Sequence, residues 1–208
     1  MLTAALVFAG VAALVNVTPG LDTLLVLRTS VAGGRRHGLA AAAGILTGCA
    51  VWGVAAAVGL TALLAASHLA YEVLRVAGAG YLAWLGGTAL WRARRPIPVA
   101  EVEPAPVLAG RLAVFRSGVA TNLLNPKAGV FYLSLIPQFL PHDAPALGGT
   151  VLFTAIDLAE LVVWYWVVSV AAAALATRIR RPAFRRRMEQ ASGVAFLGFA
   201  VNLLVEDA

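Results

Sequence analysis

The stretch Leu39-Ala-Ala-Ala-Ala-Gly-Ile-Leu-Thr-Gly-Cys-Ala-Val-Trp-Gly-Val-Ala-Ala-Ala-Val-Gly-Leu-Thr-Ala-Leu-Leu-Ala65 runs without a single charged side chain. A helix crosses the hydrocarbon core of a bilayer in roughly 20 apolar residues, so this segment is long enough to span one. Outward from it, five further apolar segments cover about 2–27, 69–91, 117–140, 147–176 and 191–205. Composition agrees: 61% of residues are hydrophobic, 12% are charged and the mean hydropathy is +0.85. A soluble domain carries a charged fraction of about 25%. The expected fold is an all-α integral membrane protein with six transmembrane helices, forming one membrane domain over residues 1–208.

A net charge of +6 would suit a nucleic-acid binder, but its distribution argues against one. Numbering the sides from the N-terminus, fourteen arginines fall on one side: Arg28, Arg35 and Arg36, then Arg92, Arg94, Arg95, Arg111 and Arg116, then Arg178, Arg180, Arg181, Arg185, Arg186 and Arg187. Only Arg75 falls on the other, and the single lysine, Lys127, lies inside a span. Such asymmetry is the positive-inside pattern, and it predicts both termini outside the cytoplasm. The N-terminal segment lacks a basic leader and is too long for a signal-peptide core, so it is expected to remain as the first span. Cys49 is the only cysteine, which excludes a dithiol relay and an intramolecular disulfide. His37, His68 and His142 fall at span ends or in loops with no metal-ligand spacing, so neither a metal site nor a cofactor is expected.

The longest polar gap, 92–116, carries Pro96, Pro98, Pro104 and Pro106 and reads as an extended cytoplasmic connector. It separates repeat one (about 1–91) from repeat two (about 117–208), three spans each. An odd number of spans per half makes the halves enter the membrane in opposite directions, which is an inverted repeat. The first span of each half supports this. Span 1 contains Asn16-Val-Thr-Pro19-Gly20-Leu-Asp22, and span 4 contains Asn122-Leu-Leu-Asn125-Pro126-Lys127. Proline removes a backbone donor and clashes with the preceding turn, so both helices are expected to break, at Pro19-Gly20 and at Asn125-Pro126. Matched broken helices in two halves point to a site near the bilayer midplane.

Charge at membrane depth is costly and therefore a functional hypothesis. Lys127 lies eleven residues past Arg116, roughly 16 Å deep at the helical rise. Asp22 is the expected partner of Lys127, either as a structural ion pair or along a substrate path. Asp157 and Glu160 are three residues apart in span 5 and share a helix face. Burial penalises an ionised carboxyl and a neighbouring acid penalises it further, which makes these two candidates for proton carriage. New half-helix N-termini after Pro19 and Pro126 carry partial positive charge. With Lys127 they suit a small carboxylate, and Asp22 or Asp157 could take the substrate's ammonium. The candidate substrate-binding set is thus Asn16, Pro19, Gly20, Asp22, Asn122, Asn125, Pro126 and Lys127. The glycines of Gly44-x-x-x-Gly48, Gly78-x-Gly80 and Gly86-Gly87 are expected to let helices approach closely. Trp164, Tyr165 and Trp166 are expected to pack or face lipid.

These residues resemble the LysE/RhtB amino-acid exporters, the LysE-type translocators. The resemblance rests on Asn16-x-Thr-Pro-Gly-x-Asp22-Thr-Leu, the basic turn Gly34-Arg-Arg-His-Gly38, Ala77-Gly-Ala-Gly-Tyr-Leu-Ala-Trp-Leu-Gly86 and Ser192-Gly-Val-Ala-Phe-Leu-Gly198. Asn125-Pro-Lys-Ala-Gly-Val-Phe-Tyr-Leu-Ser-Leu-Ile-Pro-Gln-Phe139 is its most specific part. It implies export of amino acids or related small metabolites, driven by the proton motive force, in the bacterial inner membrane. Two positions depart from the family pattern: Leu21 replaces a common second proline, and Glu160 is an acid where an apolar residue is usual. The expected partners are a small amino acid or derivative, protons and the lipid bilayer, with self-association into a homo-oligomer left open. An inorganic cation transporter of the same architecture is the alternative; it would use Asp22, Asp157 and Glu160 and have no need of Lys127.

Overall fold

The computed structural model describes residues 1–18, 20–66, 68–94, 110–141, 145–172, 174 and 182–205. Pro19, residues 95–109 of the connector, His142, the arginines at 178–181 and the acidic tail lie outside the described residues. Among the described residues every regular element is helical. The elements are α1 (Leu2–Val17), α2 (Leu21–Gly33), α3 (Arg35–Ala66), α4 (His68–Arg94), α5 (Arg111–Leu123), α6 (Pro126–Val130), a π-helical turn (Phe131–Leu135), α7 (Ile136–Gln138), α8 (Ala146–Val170) and α9 (Pro182–Val205).

Arg35–Gly59 of α3 and Ala146–Val170 of α8 are each long and apolar enough to cross a membrane. The pair α1 and α2 is long and apolar enough together, with a bend of 54° between its parts. Several helices begin earlier or end later than the apolar runs suggest. Arg28 lies within α2, Arg35 and Arg36 open α3, Arg94 closes α4, Arg111 and Arg116 lie within α5, and Arg185, Arg186 and Arg187 lie within α9. The apolar segments end short of most of these arginines, yet the helices run on through them. A helix satisfies its own backbone and can run on past the hydrocarbon, and long arginine stems keep their charge in water. The turn between α2 and α3 is reduced to Gly34, whose φ of 76° is a left-handed conformation that favours glycine.

The long helix α3 is central: it packs on α2, α5 and α8, while α4 pairs with α9 and α1 lies on α8. Small residues set these approaches. A Cβ on Gly44 would strike the Phe115 carbonyl, and one on Gly118 would strike the Ala41 carbonyl. α3 and α5 therefore touch backbone to backbone, as small-xxx-small packing allows. In α4, a Cβ on Gly78 would lie 2.6 Å from Ser134 Oγ and one on Gly86 would lie 2.9 Å from the Gly193 carbonyl. Gly80 and Gly87 face open space, so only half of the α4 glycines serve close approach.

The second broken segment has an internal cause for its irregularity. Pro137 cannot donate to residue 133 and its ring crowds that carbonyl. The π-helical turn at Phe131–Leu135 lies directly before it, where the wider turn relieves the clash. The Gln138 side-chain amide donates to the Ser134 carbonyl at 2.6 Å, which supplies one of the missing donors. Beside this segment, buried Phe8, Phe131 and Phe153 and partly buried Phe139 form a cluster: Phe8 lies 5.9 Å from Phe131, 5.3 Å from Phe139 and 4.8 Å from Phe153, ring centre to ring centre.

Candidate functional site

Both helix breaks form where the prolines predict them. α1 stops at Val17, Thr18 turns extended (φ −67°, ψ 119°), and α2 starts at Leu21 after Gly20. The Thr18 hydroxyl donates back to the Leu14 carbonyl at 2.8 Å. α5 stops at Leu123, and Asn125 becomes the N-cap of the next helix with Pro126 in its first turn. The Asn125 side-chain oxygen accepts from the Lys127 backbone N–H at 3.0 Å, the usual capping bond for asparagine.

Each break leaves polar groups that the other half of the chain satisfies. The Lys127 ammonium donates to the carbonyls of Val15 at 2.7 Å and Thr18 at 3.2 Å. These are among the last carbonyls of α1, which have no partner within their own helix, and a cation there also meets the negative end of the helix dipole. Reciprocally, Asp22 in the first turn of α2 accepts from Asn122 of α5 and from Asn125, the N-cap of α6. Its Oδ2 takes Asn122 Nδ2 at 2.9 Å and Asn125 Nδ2 at 3.1 Å. The expected Asp22–Lys127 ion pair is therefore corrected: each charge is held by polar groups of the opposite broken helix. The physical reason is local, because a helix break exposes carbonyls beside Lys127 and asparagine amides beside Asp22.

The α8 acids Asp157 and Glu160 are tied to both breaks. Asn16 Nδ2 donates to Asp157 Oδ1 at 2.9 Å and to Glu160 Oε2 at 3.3 Å. The Tyr132 hydroxyl, in the π-helical turn, donates to Asp157 Oδ2 at 2.5 Å. Asp157 is thus buried with both oxygens engaged, one by each broken segment. Glu160, one helical turn on, is half-buried.

Asn16, Gly20, Asp22, Asn122, Asn125, Lys127 and Asp157 line a single cavity of about 50 Å³. Pro126 is exposed behind the capping turn, and Glu160 reaches the cavity wall only through Asn16. Gly20 has an ordinary extended φ of −127°, and a Cβ there would meet Lys127 Cδ at 3.8 Å, a normal contact. The cavity wall also contains Thr18, Thr23, Cys49, Tyr132 and Tyr165 together with Val15, Ala128, Phe131 and Leu161. Cys49 is buried, and its sulfur accepts from Asn122 Nδ2 at 3.2 Å.

Within the aromatic triplet, Tyr165 packs in the core, in line with the expectation, and it also lines the cavity. Trp166 is half exposed, with the Arg35 guanidinium 5.7 Å from its ring centre, and Trp164 donates to Thr23 Oγ1 at 3.4 Å. Tyr132 and Thr18 are among the site residues that sequence reasoning passed over. A tyrosine six positions after Pro126 in an apolar run was the available signal, since a buried hydroxyl needs a partner. The contribution of the Val15 carbonyl has no side-chain signature.

Among proteins already known, the family model of the LysE type translocators matches residues 13–207. The chain belongs to that family, and it is a membrane transport protein and not an enzyme. A leucine efflux protein of Klebsiella pneumoniae subsp. pneumoniae is 31% identical over 197 residues, covering 92% of this chain and 90% of its own length. A homoserine/homoserine lactone efflux protein of Salmonella typhimurium is 31% identical over 184 residues, 88% of this chain and 87% of its own. A threonine efflux protein of Salmonella typhimurium is 28% identical over 188 residues, 90% and 91% of the two chains. No solved structure matches the chain.

Proposed function

We propose that this protein is a secondary-active exporter of a small amino acid or amino-acid derivative in the bacterial cytoplasmic membrane, driven by proton antiport. The observation that carries the reading is the meeting of Lys127, Asp22 and Asp157 in one cavity, bounded by the two helix breaks. An ammonium has three donors. Lys127 gives two to the Val15 and Thr18 carbonyls, which leaves one for a substrate carboxylate. The positive N-terminal end of α2 adds to the field on that side. Asp157 is the proton carrier of choice because its carboxylate joins both broken segments, through Asn16 and Tyr132. Protonation removes one acceptor and so alters how the two segments are held. Glu160 shares Asn16 with Asp157 and completes the proton path.

The architecture in this reading is six spans in two inverted three-helix repeats, about 1–91 and 117–208, joined by the 92–116 connector. The reciprocal bonding of Lys127 to span 1 and Asp22 to span 4 is what a pseudo-twofold arrangement of two broken helices would produce. The arginine asymmetry sets both termini outside the cytoplasm. The names of the leucine, homoserine and threonine efflux relatives support an amino-acid substrate. A cation transporter is disfavoured, since Lys127 shares the cavity with Asp22 and Asp157 and would repel its cargo.

The test is everted membrane vesicles with an imposed proton gradient, acid inside, given labelled leucine, threonine and homoserine in turn. Gradient-dependent accumulation of at least one above vesicles without the protein is expected. No accumulation of any of them, with folded protein verified in the same vesicles, overturns the reading.

A further inference from the structure

Asp22 is a cavity-lining carboxylate used on one side only. Its Oδ2 accepts from two asparagines, whereas Oδ1 is buried and has no hydrogen-bond partner. A buried carboxylate oxygen left unpaired carries a large desolvation cost, so it marks a place where a donor is meant to arrive. Asp157, the other acid of the cavity, has no such vacancy, because Asn16 and Tyr132 engage both of its oxygens. Asn122 and Asn125 fix the Asp22 carboxylate from α5 and the capping turn, so Oδ1 is aimed by groups that do not have to move. Asn122 is itself nearly fully buried, and its seat requires Gly48: a Cβ there would lie 2.9 Å from the asparagine Cβ.

The geometry points to Asp22 Oδ1 as the acceptor of the substrate's α-ammonium, in a site that takes zwitterions with an uncharged side chain and discriminates against basic amino acids. This rests on the exporter reading and deepens it. With Lys127 taking the carboxylate, the two charged ends of a zwitterion are matched by opposite charges in one cavity. The about 50 Å³ of free space suits that head group rather than a whole bulky substrate. Val15, Ala128, Phe131 and Leu161 supply the apolar part of the wall. A second ammonium, as in lysine, would enter a cavity in which both oxygens of the remaining carboxylate are already engaged, so its desolvation would be only partly compensated.

The experiment uses the full-length protein in everted vesicles, with labelled leucine, threonine or homoserine, whichever accumulates. Unlabelled competitors are norleucine, lysine and hexanoate, which is norleucine without its ammonium. Norleucine should compete, hexanoate should compete about 100-fold less well, and lysine should compete at least about tenfold less well than norleucine. Asp22→Asn should lose accumulation while Asp22→Glu retains a fraction of it. Equal competition by norleucine and hexanoate, or full accumulation in Asp22→Asn, overturns the ammonium assignment while the exporter reading stands; Oδ1 would then serve a water. Lysine competing as well as norleucine overturns the side-chain discrimination. If none of the labelled amino acids accumulates, the exporter reading fails, and thermal stabilisation of the purified protein decides the site. Stabilisation by norleucine but not by hexanoate or lysine supports it, and stabilisation by neither norleucine nor leucine overturns it.

Discussion

Lys127 and Val15 are 2.7 Å apart across the two halves of the chain, side-chain ammonium to backbone carbonyl. The bond makes Lys127 a cap for the broken end of α1 as well as a charge in the cavity. The two roles separate by substitution. Lys127→Met keeps the stem and removes the donors, so the Val15 and Thr18 carbonyls lose a partner at a cost of about 1–3 kcal/mol. On the exporter reading, transport should fall below about a hundredth of wild type, because the charge proposed to meet the substrate carboxylate is gone, while the protein still inserts. Lys127→Arg should restore much of the stability, because a guanidinium also donates to carbonyls, but little transport, because its planar fork points its charge differently. Thermal unfolding in detergent and vesicle uptake read the two effects. Equal recovery of both by arginine would show that capping alone is the function of this residue.

Asp157→Asn tests the proton carrier with the hydrogen bonds largely kept. The amide oxygen can still accept from Asn16, and the amide nitrogen can donate to the Tyr132 hydroxyl once that hydroxyl turns. What is lost is the titratable charge. Gradient-driven accumulation should fall to the level of a collapsed gradient, while exchange of labelled for unlabelled substrate continues. Tyr132→Phe, which removes one bond to Asp157, should shift the pH dependence of accumulation without abolishing exchange. Undiminished gradient-driven accumulation in Asp157→Asn removes Asp157 from coupling.

The sequence made the membrane class, the helix breaks and the charged and asparagine side chains of the cavity legible for physical reasons. Charge-free runs have few alternatives to a spanning helix, prolines with polar neighbours mark breaks, and buried charges are rare enough to stand out one by one. It was less informative about which groups meet. Asp22 and Lys127 looked like mutual partners because side-chain charge is all a sequence displays. The structure gives Lys127 to backbone carbonyls and Asp22 to two amides. Tyr132 was missed because its orientation depends on a π-helical turn, and that turn depends on Pro137 several residues later. Helix ends were misplaced at the arginines because hydropathy marks where hydrocarbon ends, whereas hydrogen bonding decides where a helix ends.

Gly118→Val should part α3 from α5. The new side chain begins with a Cβ against the Ala41 carbonyl and within 3.1 Å of Gly44 Cα and Ile45 N, all of them backbone atoms that cannot rotate away. Overpacking of this kind costs about 1–3 kcal/mol or more. It would also displace Asn122, one turn further along α5, from Asp22. Lower thermal stability together with loss of transport is expected. Gly87→Val, where a Cβ meets nothing within 4 Å, is the matched control and should leave both unchanged. Comparable losses in the two variants would mean that added bulk in any span is harmful, and would remove the α3–α5 contact as the cause.

Phe8→Ala addresses the aromatic cluster beside the cavity. Phe8 is fully buried, and its ring lies 4.8 Å from that of Phe153 and 5.9 Å from that of Phe131, which itself lines the cavity wall. Truncation removes the hub of three aromatic contacts and leaves a void that the helices α1, α8 and the π-helical turn cannot close without moving. A buried phenylalanine truncated to alanine costs about 3–5 kcal/mol in soluble cores. In lipid the loss should come from packing rather than from water exclusion, because unfolding within the bilayer exposes the ring to hydrocarbon. The expected loss is therefore smaller, about half of that figure. Phe8→Leu fills most of the void and should recover most of the stability, whereas Phe8→Ala should also admit protons past the cluster and dissipate an imposed gradient in proteoliposomes. Fluorescent pH indicators inside the vesicles measure that leak, and detergent unfolding measures the stability. A stable, tight Phe8→Ala protein would mean that the cluster neither holds the broken segments together nor closes the path beside them.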